Sequence, residues 1–230
     1  MRHMKKGTLI VVDGADGSGK ATQTKLLVER LLSDGYEVET LDFPQYTENV
    51  CGKLLRECLD GKRGDFMAVD ARIASVLYAA DRFESKDTIQ NWLTAGKVVV
   101  LDRYVSANMM HQGAKIDDQQ ELEKFLSWID ELEHDMFGIA RPDLIIYLDV
   151  PLQERLLMVK EAVANKEHHK GETVDVAEAD VHHQALAQDR AKQIVQSRNN
   201  WKQVVCAVDG DVRAREDIHE DVYSCFKEVI

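Results

Sequence analysis

Thr8-Leu9-Ile10-Val11-Val12 runs into Asp13-Gly14-Ala15-Asp16-Gly17-Ser18-Gly19-Lys20-Ala21-Thr22, and a helical pattern follows. A strand, a glycine-rich loop and a helix in that order are the setting a P-loop requires. The glycines let backbone N–H groups converge on phosphate oxygens, and the helix N-terminus adds a favourable dipole. Lys20 then reaches the outer phosphates as a point charge. A glycine-rich turn without a ligand is the competing account, and motif and context together disfavour it. The residues from Gly14 to Thr22 are therefore the candidate ATP-binding segment, including Ala15, Asp16, Gly17, Ser18 and Gly19. The residue after the lysine is Ala21, where a Mg²⁺-binding hydroxyl usually stands, and Thr22 comes next. Val98-Val99-Val100-Leu101-Asp102 reads as the strand that ends on a metal-binding acid, which makes Asp102 the candidate ligand for Mg²⁺.

The rest of the chain supports an α/β fold. Strands are expected at Thr8–Asp13, Glu37–Asp42, Val98–Asp102, Leu144–Asp149 and Val204–Asp209. Four of these are continuous apolar runs, which suit a parallel sheet covered on both faces. Each closes on an aspartate, at the sheet edge where ligands of open α/β sheets gather. Helical spacing appears over Lys25–Leu32, Val69–Tyr78, Leu122–Met136 and Leu186–Val195, with Gly35 and Gly96 as stops. In the third, Leu122, Phe125, Leu126, Ile129 and Leu132 form a stripe that suits a core or a dimer face. With 230 residues, three prolines and no dividing linker, one domain is expected over residues 1–230.

Composition excludes several classes. The net charge is -12 with Lys and Arg dispersed, which disfavours nucleic acid as a partner, although a few focused cations suffice for nucleotide phosphates. No apolar run is long enough to span a bilayer, and nothing resembles an export signal. Cys51, Cys58, Cys206 and Cys225 are scattered, with no metal-ligand spacing, and read as buried thiols in a reducing cytoplasm. Asn165-Lys166-Glu167-His168 half-matches the guanine-reading N-K-x-D element but lies in a polar stretch, Asn165 to Thr173, and not at a strand end. That argues against a GTPase switch.

Asp102-Arg103-Tyr104 argues for a kinase, because an arginine directly after the strand-closing acid is placed to hold an acceptor phosphate. Asp81-Arg82-Phe83 supplies a second arginine on a helix directed at the same cleft; a surface ion pair is its alternative account. With these residues the chain resembles the thymidylate kinases over nearly its whole length. The motifs are the P-loop with Asp16, Phe43-Pro44 after the second strand, Tyr78 to Arg82, Asp102-Arg103-Tyr104, and Arg141-Pro142-Asp143 before the fourth strand. The resemblance implies a P-loop fold with a five-stranded parallel sheet flanked by helices, a lid at about residues 164–175, a homodimer, and transfer of phosphate from ATP to dTMP with Mg²⁺. Asp16 would bind the acceptor's 3′-hydroxyl, Phe43 and Tyr78 would line the base pocket, Arg82 would bond the base and Arg103 would hold the acceptor phosphate. His111 and Gln112 would border the sugar and base, and Asp209 the adenine of ATP.

This sequence departs from the family pattern at several of those positions. Tyr46 stands where an arginine is frequent, His111 where a Tyr or Phe crowds a ribose 2′-hydroxyl, and Ala107 where a serine is frequent. Gly17 replaces a P-loop arginine, so the catalytic cations expected beside Lys20 and Arg103 are the lid lysines Lys166 and Lys170, with Lys160 nearby. Lysine cannot make arginine's bidentate phosphate contact. Two other readings stay open here: a kinase for another nucleoside monophosphate or a deoxynucleoside, and a nucleotide-binding regulator without catalysis.

Overall fold

In a computed structural model, residues 7–157 and 180–230 are described; the structural statements below concern these. Five parallel strands, β1 (Thr8–Gly14), β2 (Val38–Asp42), β3 (Val98–Asp102), β4 (Leu144–Asp149) and β5 (Trp201–Val205), form a sheet in the order β2-β3-β1-β4-β5. The expected sheet, its parallel sense and the bounds of β3 and β4 are as the sequence indicated. Alternation of side chains across the pleat divides the core in two. Leu9, Val11, Val99, Leu101, Ile145 and Tyr147 face one side, and Ile10, Val12, Val98, Val100, Ile146 and Leu148 the other.

Helices cover both faces. The first side packs against α3 (Ala71–Glu84), α4 (Lys86–Thr94), α5 (Val105–His111), α6 (Gln119–Asp130) and α7 (Val181–Ser197), through residues such as Ala71, Ile89, Met109, Phe125 and Ile194. The second packs against α1 (Lys20–Ser33) and α8 (Arg215–Lys227), through Leu27, Leu31, Val222 and Phe226. The stripe of α6 is core: Leu122, Phe125 and Ile129 are buried, and its last turn gives way to a π-helical turn at Glu131–Met136. Short α2 (Val50–Leu59), α4 and α5 escaped sequence reading, being too brief for a clear 3.6-residue period, and so did the longer α8.

The fifth strand corrects the expectation of Val204–Asp209. It starts three residues earlier, because Trp201 is buried and pairs with Ile145. The chain leaves the sheet after Val205 and makes a small hairpin, β6 (Ala207–Val208) with β7 (Asp211–Val212). Asp209 and Gly210, at φ 53° and 88°, form its turn, so Asp209 is a turn residue and not a strand end. The Asp-Gly pair was the available signal for a hairpin.

A third cluster, Leu55, Cys58, Leu59, Phe66 and Ala74, joins α2 to α3 beside the cleft. Gly52 allows that join, since a methyl group there would collide with the Gln45 carbonyl and the Asp81 carboxylate. Asp81 in turn accepts from Gln45 N at 3.2 Å and Asn49 Nδ2 at 3.1 Å, fixing the segment after Phe43-Pro44. Gly52→Ala is therefore expected to cost about 1–3 kcal/mol, as overpacking does, which denaturant unfolding checks.

Candidate active site

The phosphate cradle forms where β1 turns into α1. Gly14 lies so close to Ser18 and the Leu148 carbonyl that no Cβ fits. Gly17 and Gly19 take φ 78° and 83°, conformations glycine adopts at little cost. Gly19 caps α1 without a side-chain bond, so the first-turn N–H groups lack a side-chain partner at the cap and are aimed at the loop. Lys20 is buried and folds over the loop, its Nζ donating to Ala15 O at 2.9 Å and lying 3.7 Å from Asp16 Oδ1. Ser18 Oγ, Gln23 Oε1 and Thr24 Oγ1 are buried without a hydrogen-bond partner in the protein. The first-turn N–H groups, Lys20 and the Ser18 hydroxyl are donors that fit a polyphosphate, whereas Gln23 turns its NH₂ to Arg215 O at 2.9 Å.

Asp16 gathers cations beside the P-loop. Arg103 Nη2 and Gln184 Nε2 donate to its two carboxylate oxygens, and Arg155 Nη1 donates to its carbonyl at 3.1 Å. Arg103 holds φ 63°, unusual for a residue with a Cβ, while its N–H bonds Val12 O at 3.0 Å. Such strain costs on the order of 1–3 kcal/mol and marks a position constrained by its surroundings. Arg155, one turn after Pro151, is buried and also donates to Val150 O at 3.2 Å. It is a cation beside the P-loop that sequence reasoning missed. Its signal was an arginine within two turns of the strand-closing Asp149.

The strand-end acids divide by partner. Asp13 is wholly buried and accepts from Gly14 N at 2.8 Å and Ser106 Oγ at 2.5 Å; burial pushes its pKa up. Asp149 accepts from Gln188 and Gln203 at 2.8 and 2.7 Å. Asp42 faces Asp102 across the β2–β3 register. Asp102 has no such amide or hydroxyl clamp, and Lys20 is close enough to attract its charge. Among the described residues no three His, Cys, Asp or Glu side chains form a metal cage. The donor set fits an ion held mainly by phosphates and water with Asp102 as the protein's carboxylate. Ala21 contributes no ligand, and Thr22 is exposed on α1.

Next to the cradle opens a cleft with about 910 Å³ of empty volume including its mouth, in the range of small-molecule sites. Its lining brings together Asp16, Phe43, Tyr46, Tyr78, Arg82, Arg103, Ala107, His111 and Gln112, all noted in the sequence. Phe66, Asn108, Lys115 and His183 also line it and were not anticipated, and Tyr104, quoted only as part of a motif, joins them. Phe43 packs on Tyr104 with ring centroids 5.7 Å apart, and Phe66 on Tyr78 at 6.1 Å, giving one aromatic end. At the polar end His111 lies against His183 at 5.9 Å. Burial, then Arg103 and His183, hold the His111 pKa well below that of a free imidazole, so its ring is neutral. His111 Nε2 and Gln112 Oε1 are buried without a protein partner. Arg82 makes no surface ion pair: it is wholly buried and bidentate to Glu133, Nε to Oε2 at 2.7 Å and Nη2 to Oε1 at 2.6 Å. Lys160, Lys166 and Lys170 lie outside the described residues, and Asp209 is not among the residues lining this cleft.

A P-loop on a five-stranded parallel sheet, opening on a cleft with its own arginines, defines a P-loop protein with a second ligand site beside its phosphate cradle. The model of the thymidylate kinase family matches residues 12–208, and the chain belongs to that family. A thymidylate kinase of Mycobacterium tuberculosis is 33% identical over 62% of this chain and 65% of its own length. A probable thymidylate kinase of Pyrococcus horikoshii is 38% identical over 67% and 71%, and human thymidylate kinase 29% over 95% and 89%. A solved thymidylate kinase of Candida albicans, whose report describes broad substrate specificity, shares the fold with a TM-score of 0.72 at 23% identity, over 97% of this chain and 92% of that one.

Burial, with Asp13 and Asp42 nearby, pushes the Asp102 pKa up to about 6, against the pull of Lys20. The folded chain therefore holds this proton more tightly than the unfolded chain, and stability from this group declines as pH rises from about 4 to 6. Asp102→Asn cannot ionise. It is expected to be more stable than the parent at pH 7.5 by about 1–3 kcal/mol, with the gap closing below pH 4, and to need more Mg²⁺ for turnover. Denaturant unfolding at the two pH values and a Mg²⁺ titration of activity measure this.

Proposed function

We propose that the chain transfers the terminal phosphoryl group of ATP to dTMP, giving dTDP and ADP. The observation that carries the reading is the junction at Asp16 and Arg103, where the P-loop cradle meets the aromatic-walled cleft. Phosphoryl transfer needs two anions aligned and their charge stabilised, with little covalent help from protein. The P-loop amides and Lys20 hold the donor, and Arg103 is placed between donor and acceptor phosphates. When bound, Mg²⁺ with the ATP phosphates would neutralise charge on the transferring group, and Asp102 is the residue to hold it. Asp16 is positioned for a sugar hydroxyl, and Tyr78, Phe43 and Phe66 for the flat face of a base.

A 4-keto pyrimidine such as thymine, and not cytosine, is supported by the polar groups opposite those rings. Both hydrogens of the Asn108 amide are used, on Ser75 O at 3.2 Å and Glu133 Oε1 at 2.9 Å. Its carbonyl oxygen is left for the cleft, beside the N–H groups of Arg82 that Glu133 does not take. An acceptor next to donors matches the N3–H and 4-keto group of thymine. A kinase for other monophosphates remains the second reading, favoured by His111, whose small neutral ring is less of a barrier to a 2′-hydroxyl than a larger aromatic. A coupled ADP-release assay across dTMP, dUMP, dGMP, CMP and UMP tests both. The expected result is the highest kcat/KM with dTMP and at least tenfold less with CMP and UMP; equal values for UMP and dTMP would defeat the assignment.

The reading extends to partners and charge. A single domain over residues 1–230 working as a homodimer is supported by Ile73, Val76 and Phe83, which leave an apolar stripe exposed on α3 next to Val50 and Leu54 of α2. A cytoplasmic setting is supported by four free cysteines; no helix among the described residues is long and apolar enough to cross a membrane. Lys166 and Lys170, in a lid at about 164–175, are proposed to join Arg155 in stabilising the transferring phosphoryl group. Lys20→Ala should lower kcat by about 10²–10³, the cost of removing one preorganised charge. The Lys166, Lys170 double alanine variant should lower kcat about tenfold with little change in ATP affinity. Single-turnover kinetics with titration of an ATP analogue separates these effects, and an unchanged double variant would leave the role to Arg155.

A further inference from the structure

Glu133 is a carboxylate in the core with no exposed surface. It continues the buried stripe of α6, after Leu122, Phe125 and Ile129, into the π-helical turn. Its backbone is tied down: Ile139 N donates to Glu133 O at 2.9 Å, and Phe137 N to Leu132 O at 3.0 Å. Asp130, one turn earlier, takes both terminal nitrogens of Arg198 at 3.2 and 2.7 Å. A buried charge costs several kcal/mol unless it is paired, and a hydrophobic pair of similar volume is often as stable. Stability alone therefore gives a weak account of a carboxylate here.

Glu133 has three donors converging on it from two residues that line the cleft. Oε2 takes Arg82 Nε, and Oε1 takes both Arg82 Nη2 and Asn108 Nδ2. An ionised carboxylate only accepts, and so does the Ser75 carbonyl. Between them they leave Asn108 one orientation, NH₂ inward and oxygen towards the cleft. The same carboxylate fixes the plane of the Arg82 guanidinium. We propose that Glu133 is a positioning residue for base selection: by accepting from both Arg82 and Asn108 it sets the order of donor and acceptor presented to the nucleobase. This rests on the reading of the cleft as the acceptor site. The order favours a 4-keto pyrimidine with a protonated N3. A 4-amino pyrimidine carries the inverse pattern, and a site built to bond one rejects the other through unpaired buried groups.

The substitution Glu133→Gln keeps the shape but replaces one acceptor oxygen by an NH₂ that faces donors. With the NH₂ at the Oε1 place Asn108 loses one of the two acceptors that set its orientation, and at the Oε2 place Arg82 Nε loses its partner, so in either case the order of donor and acceptor is no longer held. The measurement is kcat and KM for dTMP and dCMP, and KM for ATP, in the parent, Glu133→Gln and Glu133→Asp, with thermal melts. In Glu133→Gln, KM for dTMP should rise at least tenfold with ATP KM within twofold, and the dTMP/dCMP ratio of kcat/KM should fall at least tenfold. Glu133→Asp retains the charge but cannot reach both partners, and its ratio should fall at least threefold; it decides the matter if the glutamine variant does not fold. A uniform loss of kcat, or a ratio within twofold of the parent's in a folded variant, would overturn the proposal. Failure of the parent to phosphorylate dTMP would instead defeat the acceptor-site reading beneath it.

Discussion

The Asp16 carboxylate and carbonyl tie together four segments that are far apart in sequence. Arg103 arrives from the end of β3, Arg155 from the helical turns after β4, Gln184 from α7, and Lys20 from α1. Each of these groups reaches the cleft only because β3, β1 and β4 lie side by side, all carboxyl ends together. The strands are buried on both faces, so their apolar runs dictate that order and leave polar chemistry to the strand ends. In a chain of net charge -12, this gathers three cations around one anion beside the P-loop. A local field of that kind is what draws nucleotides to an otherwise acidic protein.

Two ion pairs of opposite character flank the cleft. Arg82 and Glu133 are 2% and 0% exposed, whereas Arg103 and Asp16 are 23% and 19% exposed. The outer pair gains little from its own attraction, because water screens it, and can trade partners at small cost. The inner pair cannot, since separating it strands a charge in the core. The end of the cleft proposed for phosphate is thereby adaptable and the end proposed for the base fixed. Such a division suits an enzyme whose charge distribution changes during the reaction while its acceptor base does not.

Much of this was legible in the sequence because it rests on local patterns. Continuous apolar runs located β1, β3 and β4, and glycine spacing located the cradle. The aromatic and arginine lining at Phe43, Tyr78, Arg82 and Arg103 followed from motif resemblance. What escaped notice depends on contacts between distant residues. Glu133 reads as one more acid in Glu131-Leu132-Glu133-His134-Asp135, and only its distant partners Arg82 and Asn108 make a carboxylate tenable on the buried stripe. Arg155 reads as a surface helix cation, and only the pairing of β1 with β4 brings it to Asp16. The fifth strand was displaced because Val204 to Val208 is uniformly apolar, and periodicity cannot mark where such a run leaves a sheet.

The position of Tyr104 shows how tightly base and phosphate ends are coupled. It follows Arg103, whose left-handed backbone turns the chain from strand to helix, and it is 1% exposed. Its ring supports Phe43, which extends the loop after β2 and is itself held by a bond from Phe43 N to Asp102 O at 3.0 Å. Its hydroxyl lies near the charges of Arg82 and Glu133 and has no protein partner. Burial raises its pKa, so it stays a neutral donor at physiological pH. In the proposed function Asp102, Arg103 and Tyr104 would thus serve metal, phosphate and base wall in three consecutive residues. A shift of the β3 end by even one residue would invert the faces of the strand and move all three functions at once. That coupling explains why a single short sequence can carry so much of the site.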